Sequence, residues 1–201
     1  MVQLFVDGGG FMWPILFIFI IGFVFVGERL YHLIKGLAST EEFAMEVATT
    51  LEKSGVKAAK SLCEESVGPV ANLCGSALEK ADSGVDAVEK TLDQAGAIEM
   101  ASMEKNMTWI SLCIATAPML GFLGTVWGMI QAFNDIKMAN DISPAVVAGG
   151  ISVALLTTAF GLVVAVILQI LQNAVMYIID NQIVTLQKST TMLLNSIENK
   201  K

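Results

Sequence analysis

Charged and apolar residues are segregated along this chain rather than interspersed. Gly8 to Gly27, Asn106 to Asn134 and Ile142 to Ile179 contain no Asp, Glu, Lys or Arg beyond their edges. An ionised side chain at the centre of a bilayer costs roughly 2.5–3.5 kcal/mol on insertion scales, and a span needs about 20 apolar residues. Each run is long enough, so the pattern predicts three transmembrane helices. The first is expected over 11–34, with Pro14 tolerated in its first turn. Between the first and second runs the sequence turns amphipathic and rich in alanine and glutamate. Helices are predicted over about 40–53, 56–66 and 70–81, divided at Ser54-Gly55, Gly68-Pro69 and Asp82-Ser83-Gly84. Ser39 with Glu42 fits a capping box.

From Val85 no breaker interrupts the helical pattern before Pro118. This predicts one long helix over 85–134 that contains the second span and bends near Pro118. A short loop over 135–142 follows. Ser143 as cap and Pro144 at the first position open a third helix over 143–197. About 50 residues at 1.5 Å each give roughly 75 Å against a hydrocarbon core of roughly 30 Å, so both helices must continue beyond the bilayer. Residues 1–10 form a leader. Its apolar Val2–Val6 stretch fits a segment lying flat on the outer interface and a disordered leader equally well. The fold class is therefore an all-α membrane protein with three transmembrane helices, two of them long, and a small helical bundle over 35–84.

Charge then sets an orientation. The leader has no Lys or Arg, the segment between the first two spans has Arg29, Lys35, Lys53, Lys57, Lys60, Lys80, Lys90 and Lys105, and the second loop has only Lys137. Positive residues stay inside, which places the N-terminus outside and the C-terminus in the cytoplasm. The first basic residue, Arg29, follows the first apolar run, so this run reads as an uncleaved anchor rather than a signal peptide. The net charge of −7 comes mainly from acids between Glu41 and Glu104, a solvated face rather than a partner signal. No basic patch with interleaved aromatics points to nucleic acid. Cys63, Cys74 and Cys113 fit neither a disulfide framework nor zinc spacing, and His32 is the one histidine. No metal and no cofactor are expected. His32 sits beside Tyr31 at the end of the first span, where an interfacial anchor is favoured over proton uptake.

The second and third runs carry stripes of small residues. Ala117, Gly121, Gly124, Thr125 and Gly128 recur at three- and four-residue spacing, and so do Gly150, Ala154, Thr157, Thr158, Gly161 and Ala165. In lipid, helices associate through close backbone packing and hydroxyl hydrogen bonds. Both faces should therefore meet protein, either each other or neighbouring subunits. For single glycines plain packing is the stronger reading. Thr125 and Thr158 stand evenly between bonding their own backbone and lining a polar path. The first run has only Gly22 and Gly27 among bulky residues and is expected to face lipid. Trp127 is expected to pack against a neighbour.

The string Ala117-Pro118-Met119-Leu120-Gly121-Phe122-Leu123-Gly124-Thr125-Val126-Trp127-Gly128-Met129 resembles the second-helix signature of the MotA/TolQ/ExbB proton-channel family. Gly150 to Ala165 resembles its third-helix signature, and the three-span layout resembles the ExbB/TolQ branch. The resemblance implies a homopentamer in the bacterial inner membrane. Its second and third helices would line a pore holding an ExbD/TolR-like single-span partner, and proton flow would drive a TonB- or TolA-like protein of the periplasm. It implies Thr125 and Thr158 as the ion path, while Ala117, Pro118, Gly121, Gly124, Gly128, Ala154, Thr157, Gly161 and Ala165 are expected to pack the helices. Two positions depart from the family pattern: Val153 stands where many members have glutamate, and Ile167 where they usually have proline.

A proton relay needs a titratable group or a water chain. Asp7, Glu28, Asp135, Asp141 and Asp180 all fall at or beyond the ends of the spans, so a partner must supply the carboxylate, an aspartate by the same resemblance. An intramembrane protease would need a Ser/His or His/Glu constellation at depth, which one interfacial histidine does not provide, so no enzyme is expected. A scaffold assembled by small-residue packing without transport is the remaining alternative.

Overall fold

The structure is a computed structural model that describes residues 2–36, 41–139 and 144–198. The helices are α1 (Val2–Asp7), α2 (Met12–Gly36), α3 (Glu41–Ser54), α4 (Val56–Glu65), α5 (Pro69–Leu78), α6 (Val85–Met103), α7 (Met107–Ala139) and α8 (Pro144–Glu198), with one 3-10 turn at Ala81–Ser83. No strand occurs among the described residues. Helices α2, α7 and α8 each contain a stretch long and apolar enough to cross a membrane, and the protein is an all-α membrane protein. Ser39 and Ser143, the expected caps, lie outside the described residues. Helix α8 begins at Pro144 and continues unbroken for 55 residues, about 80 Å at 1.5 Å per residue.

The expectation of one helix over 85–134 is corrected. The chain turns at Glu104–Asn106, between α6 and α7. Asn106 has φ +65°, a left-handed conformation that asparagine tolerates better than most residues. Its carbonyl then accepts from the Trp109 N–H to start α7. With neither glycine nor proline in the turn, the sequence carries no breaker. Helix α7 runs through Pro118 and on to Ala139, so the loop expected over 135–142 begins inside a helix.

Two compact units make up the chain, Met1–Glu28 with Asn106–Ala174, and Arg29–Lys105 with Val175–Lys201. The first contains α1, most of α2, α7 and the first part of α8. Its core gathers Ile15 of α2, Cys113 and Ala117 of α7, and Val164, Ala165 and Leu168 of α8. Gly22 makes room for this. A β-carbon there would lie 2.7 Å from Leu168 Cδ1 and 3.3 Å from the Cys113 Cβ. The first span is thus packed on one face, while Trp13, Phe17, Phe23 and Val24 leave the other exposed. The leader is helical and folds back, with Phe5 edge-on to both Trp13 and Phe160.

The second unit is the helical bundle. Val47 and Leu51 of α3, Ala59 and Cys63 of α4, Leu73 and Cys74 of α5, Leu92 of α6, and Leu186 and Leu193 of α8 are buried. Gly96 lets α6 close on Leu186 and Leu73, whose carbons would lie 3.6 and 3.9 Å from a β-carbon there. The buried Arg29 donates at 3.1 Å to the Ser102 carbonyl at the end of α6, which also accepts from the Lys105 N–H at 3.4 Å.

Burial pushes the Cys63 thiol up to about 11, with the Glu64 carboxylate adding to it, and burial with the neighbouring Cys63 pushes Cys74 up to about 12. Only a thiolate attacks an electrophile. At neutral pH both thiols should therefore react with a hydrophilic maleimide at least about a hundredfold more slowly than an unburied cysteine of pKa near 8.5. The rate should still be climbing at pH 10. Peptide mass spectrometry of labelling before and after denaturation measures this, and equal labelling in the two states contradicts the packing described.

Candidate functional site

Helices α7 and α8 meet through the two small stripes. A β-carbon on Gly128 would lie 3.2 Å from the Ala154 Cβ, on Gly124 2.6 Å from Thr157 Oγ1, on Gly121 3.0 Å from the Thr157 carbonyl oxygen, and on Gly161 2.6 Å from the Ala117 carbonyl oxygen. Gly150 likewise closes on Ala132. Contacts that rise in number on α7 as they fall on α8 describe an antiparallel pair. At Gly121 and Gly161 the closest neighbours are backbone atoms, which cannot swing aside, so these glycines set how near the helices come. Ala117, Ala154, Thr157 and Ala165 are buried in or beside the seam, and Pro118 is half-buried.

The three threonines divide by position. Thr157 is 1% exposed, and its Oγ1 donates to the Ala154 carbonyl at 2.8 Å with the Gly121 carbonyl at 3.5 Å. Thr158 Oγ1 reaches across to the Gly121 carbonyl at 3.1 Å. Thr125 Oγ1 donates to its own helix, to the Phe122 carbonyl at 2.6 Å. Both Thr125 and Thr158 are half-buried at the edge of the seam. Each spends its one proton on a carbonyl, and each hydroxyl oxygen keeps acceptor capacity.

Which edge they occupy follows from helix geometry. Helix α2 packs against Cys113 on α7 and against Val164 and Leu168 on α8. At about 100° per residue, Thr125 lies about 120° round α7 from Cys113, and Thr158 about 120° round α8 from Val164. In an antiparallel pair these rotations turn both threonines to the same flank, the one α2 leaves open. That flank also presents Phe122, Leu155 and Leu162, all at least half exposed.

A cavity of about 350 Å³ approaches the seam from the other side, lined by the leader glycines with Gly124, Trp127, Gly128, Val153 and Thr157. Thr157 reaches it; Thr125 and Thr158 do not line it. Trp127 leans on Phe11, ring centroids 6.3 Å apart, and is half exposed. Val153 lies near the leader, its Cγ1 3.5 Å from where a Gly9 β-carbon would sit. His32 belongs to the second unit, where it lines a cavity of about 390 Å³ with Tyr31, Asn72, Glu99 and Gln182. No group of His, Cys, Asp and Glu suited to a metal occurs among the described residues.

Charge patterning gives no hint of three uncharged amides in the third span. Gln172 Nε2 donates to Ser111 Oγ at 2.6 Å, tying α8 to α7, and Gln169 Nε2 donates to Asn173 Oδ1 at 3.1 Å. Spacing does carry a signal for them: Gln169 follows Thr158 by 11 residues, three turns on the same line of the helix.

Comparison with known proteins is consistent across the chain. A family model described as the MotA/TolQ/ExbB proton channel family matches residues 44–188. A putative biopolymer transport protein ExbB homolog of Methanothermobacter thermautotrophicus is 32% identical over 90% of this chain and 65% of its own length. Biopolymer transport protein ExbB of Xanthomonas campestris is 40% identical over 39% of this chain and 31% of its own, and that of Neisseria gonorrhoeae 43% over 33% and 30%. The chain thus spans under two thirds of the length of these relatives.

The seam itself makes a prediction. Gly161→Ala pushes a methyl into backbone, which should destabilise by about 1–3 kcal/mol and lower the melting temperature of the detergent-solubilised protein. A methyl placed on Gly27 would meet nothing within 4 Å, so Gly27→Ala should be neutral or stabilise by up to about 1 kcal/mol. Equal effects of the two would refute the role given to close approach.

Proposed function

Since the chain belongs to the MotA/TolQ/ExbB proton channel family, we propose that it is the channel subunit of an inner-membrane motor that draws on the proton-motive force. Its N-terminus is then periplasmic and its C-terminus cytoplasmic, in line with the distribution of Lys and Arg. Residues 11–34 and the spans within 85–134 and 143–197 cross the bilayer, 1–10 and 135–142 face the periplasm, and 35–84 lies in the cytoplasm. Five copies surround an ExbD/TolR-like single-span partner, whose motion energises a TonB- or TolA-like protein for outer-membrane transport or envelope maintenance.

The observation that carries this reading is the open flank with Thr125 and Thr158. It is apolar enough to face another helix, it holds two hydroxyls beside the seam, and its span contains no carboxylate. Hydroxyls and carbonyls solvate a proton or a water but do not titrate near neutral pH, and a relay without a continuous water chain needs a group that does. An aspartate on the partner helix supplies it. The close-packed seam on its own also suits a scaffold without transport, and proton flux separates the two readings.

Lipid vesicles containing this chain alone should carry no more protons than empty ones. Vesicles with the chain and an ExbD/TolR-like protein of the same organism should acidify under an imposed potential. Thr158→Val keeps the shape of the side chain and removes the hydroxyl. Losing one half-buried hydrogen-bonding group at about 1–1.5 kcal/mol should slow the flux about tenfold. Flux from the chain alone, or full flux from Thr158→Val, counts against the reading.

A further inference from the structure

Gln169, Gln172 and Asn173 stand in the stretch from Ile142 to Ile179 that has no charge. A polar group left without partners away from water is costly, so three amides so close together in a largely apolar run call for an explanation. Helix pairing explains one. Gln172 donates to Ser111 across the α7–α8 seam at 2.6 Å. The bond from Gln169 to Asn173 joins two residues four apart on one helix and holds nothing together. Each amide has two N–H donors and a carbonyl. One bond leaves most of that capacity open on Gln169 and Asn173, both of which are exposed in this unit.

Their placement is not scattered. Gln169 lies about 20° off the line of Thr158 and about 16 Å further along α8, and Ser111 about 40° off the line of Thr125 on α7. All therefore share the flank that α2 leaves open. Pro118 adds a group between the two levels. Having no N–H, it cannot serve the Ile114 carbonyl one turn back, and the Ile114 side chain packs against the core of this unit. Passing from the Gly121 carbonyl that Thr158 holds, to the Ile114 carbonyl, to Ser111, the steps along α7 are about 10 Å and 5 Å. Such gaps are bridged by two or three waters and by one.

We propose that the open flank of α7 and α8 is a ladder of uncharged polar groups that holds a file of water from Thr158 to Asn173, with Gln169 and Gln172 as its rungs toward the C-terminal end. The inference rests on the channel reading, for which it supplies the outlet: water reaches the level of the threonines from one end without any charge in the span. Leu162, half exposed on this flank, stands beside the longest interval. The Gln172–Ser111 bond pins the last rung to both helices, so that the file stays on one side of the pair.

Cysteine accessibility tests the ladder without a partner protein. In a background where Cys63, Cys74 and Cys113 are alanine, Gln169→Cys is compared with Ile167→Cys and Leu171→Cys in intact membranes. The controls bracket Gln169 in depth by about 3 Å and lie about 160° round the helix. A membrane-impermeant thiol reagent, applied from each side in turn, should label Gln169→Cys at least about tenfold faster than either control, since only a solvated thiol ionises readily. Ser111→Cys, which changes a single side-chain atom, should label as well and serves if Gln169→Cys fails to assemble. Labelling that is equal at all three α8 positions, or absent at both Gln169→Cys and Ser111→Cys, overturns the ladder. In vesicles with the partner, Gln169→Leu combined with Gln172→Leu should cut flux at least about tenfold while the oligomer on a native gel is unchanged; undiminished flux overturns the outlet role. One-sided labelling with no flux from the unmodified complex would sink the channel reading and leave the wet flank standing. Uniform labelling with normal flux would do the reverse.

Discussion

Hydrocarbon gives two helices no hydrophobic reason to associate, so α7 and α8 depend on how closely their backbones can approach. Gly121 and Gly161 settle that distance, because what faces each of them is main chain. The rest of the first unit follows from it. A seam this tight has no room for a charged side chain or for water, and Thr157, buried inside it, satisfies its hydroxyl on a carbonyl of its own helix. Thr125 and Thr158 sit one step outside, where the helices begin to part. Helix α2 closes one side of the pair by the same device, its Gly22 admitting Leu168. Thr125 and Thr158 face the side that remains.

The turn at Glu104–Asn106 is governed by a different demand, that orphan backbone groups find partners. Glu28 and Arg29 are adjacent on α2, and each ties one side of the turn. Glu28 accepts from the Asn106 side chain at 3.1 Å, and Arg29 serves the Ser102 carbonyl. A residue in the left-handed region is held there by what surrounds it. In this chain the surroundings come from residues more than 70 positions away in sequence.

That distance explains which features were legible. The three spans, the small stripes and the breaks at Gly55, Gly68 and Gly84 rest on local composition, and all three glycines do take positive φ. The turn at Asn106 rests on tertiary contacts and leaves no local mark, so a continuous helix is the natural expectation. Gly22 is easily discounted because its stretch is bulky, yet one small residue is enough when a leucine on the facing helix is aimed at it. Of the site residues, the packing glycines can be read from spacing alone. Whether Thr125 and Thr158 share a flank cannot, since that depends on the antiparallel pairing and on which side α2 takes. The amides at Gln169, Gln172 and Asn173 stand in plain view, but charge patterning does not register neutral polarity.

Neutral polarity also has a physical consequence that charge would not. A carboxylate fixed in the span would exchange protons with whatever water reaches it, whether or not a partner helix were present. Hydroxyls, carbonyls and amides stabilise water by hydrogen bonds of roughly 0.5–1.5 kcal/mol each. A unit charge in the same place costs several kcal/mol more than they return. If the chain is a channel subunit, wetting and conduction are therefore separate properties supplied by separate polypeptides. On that reading the chain would provide a path that is hydrated but electrically closed, to be opened by a carboxylate that another helix presents. Val153 fits the same logic, in that it keeps the third span free of any acid of its own.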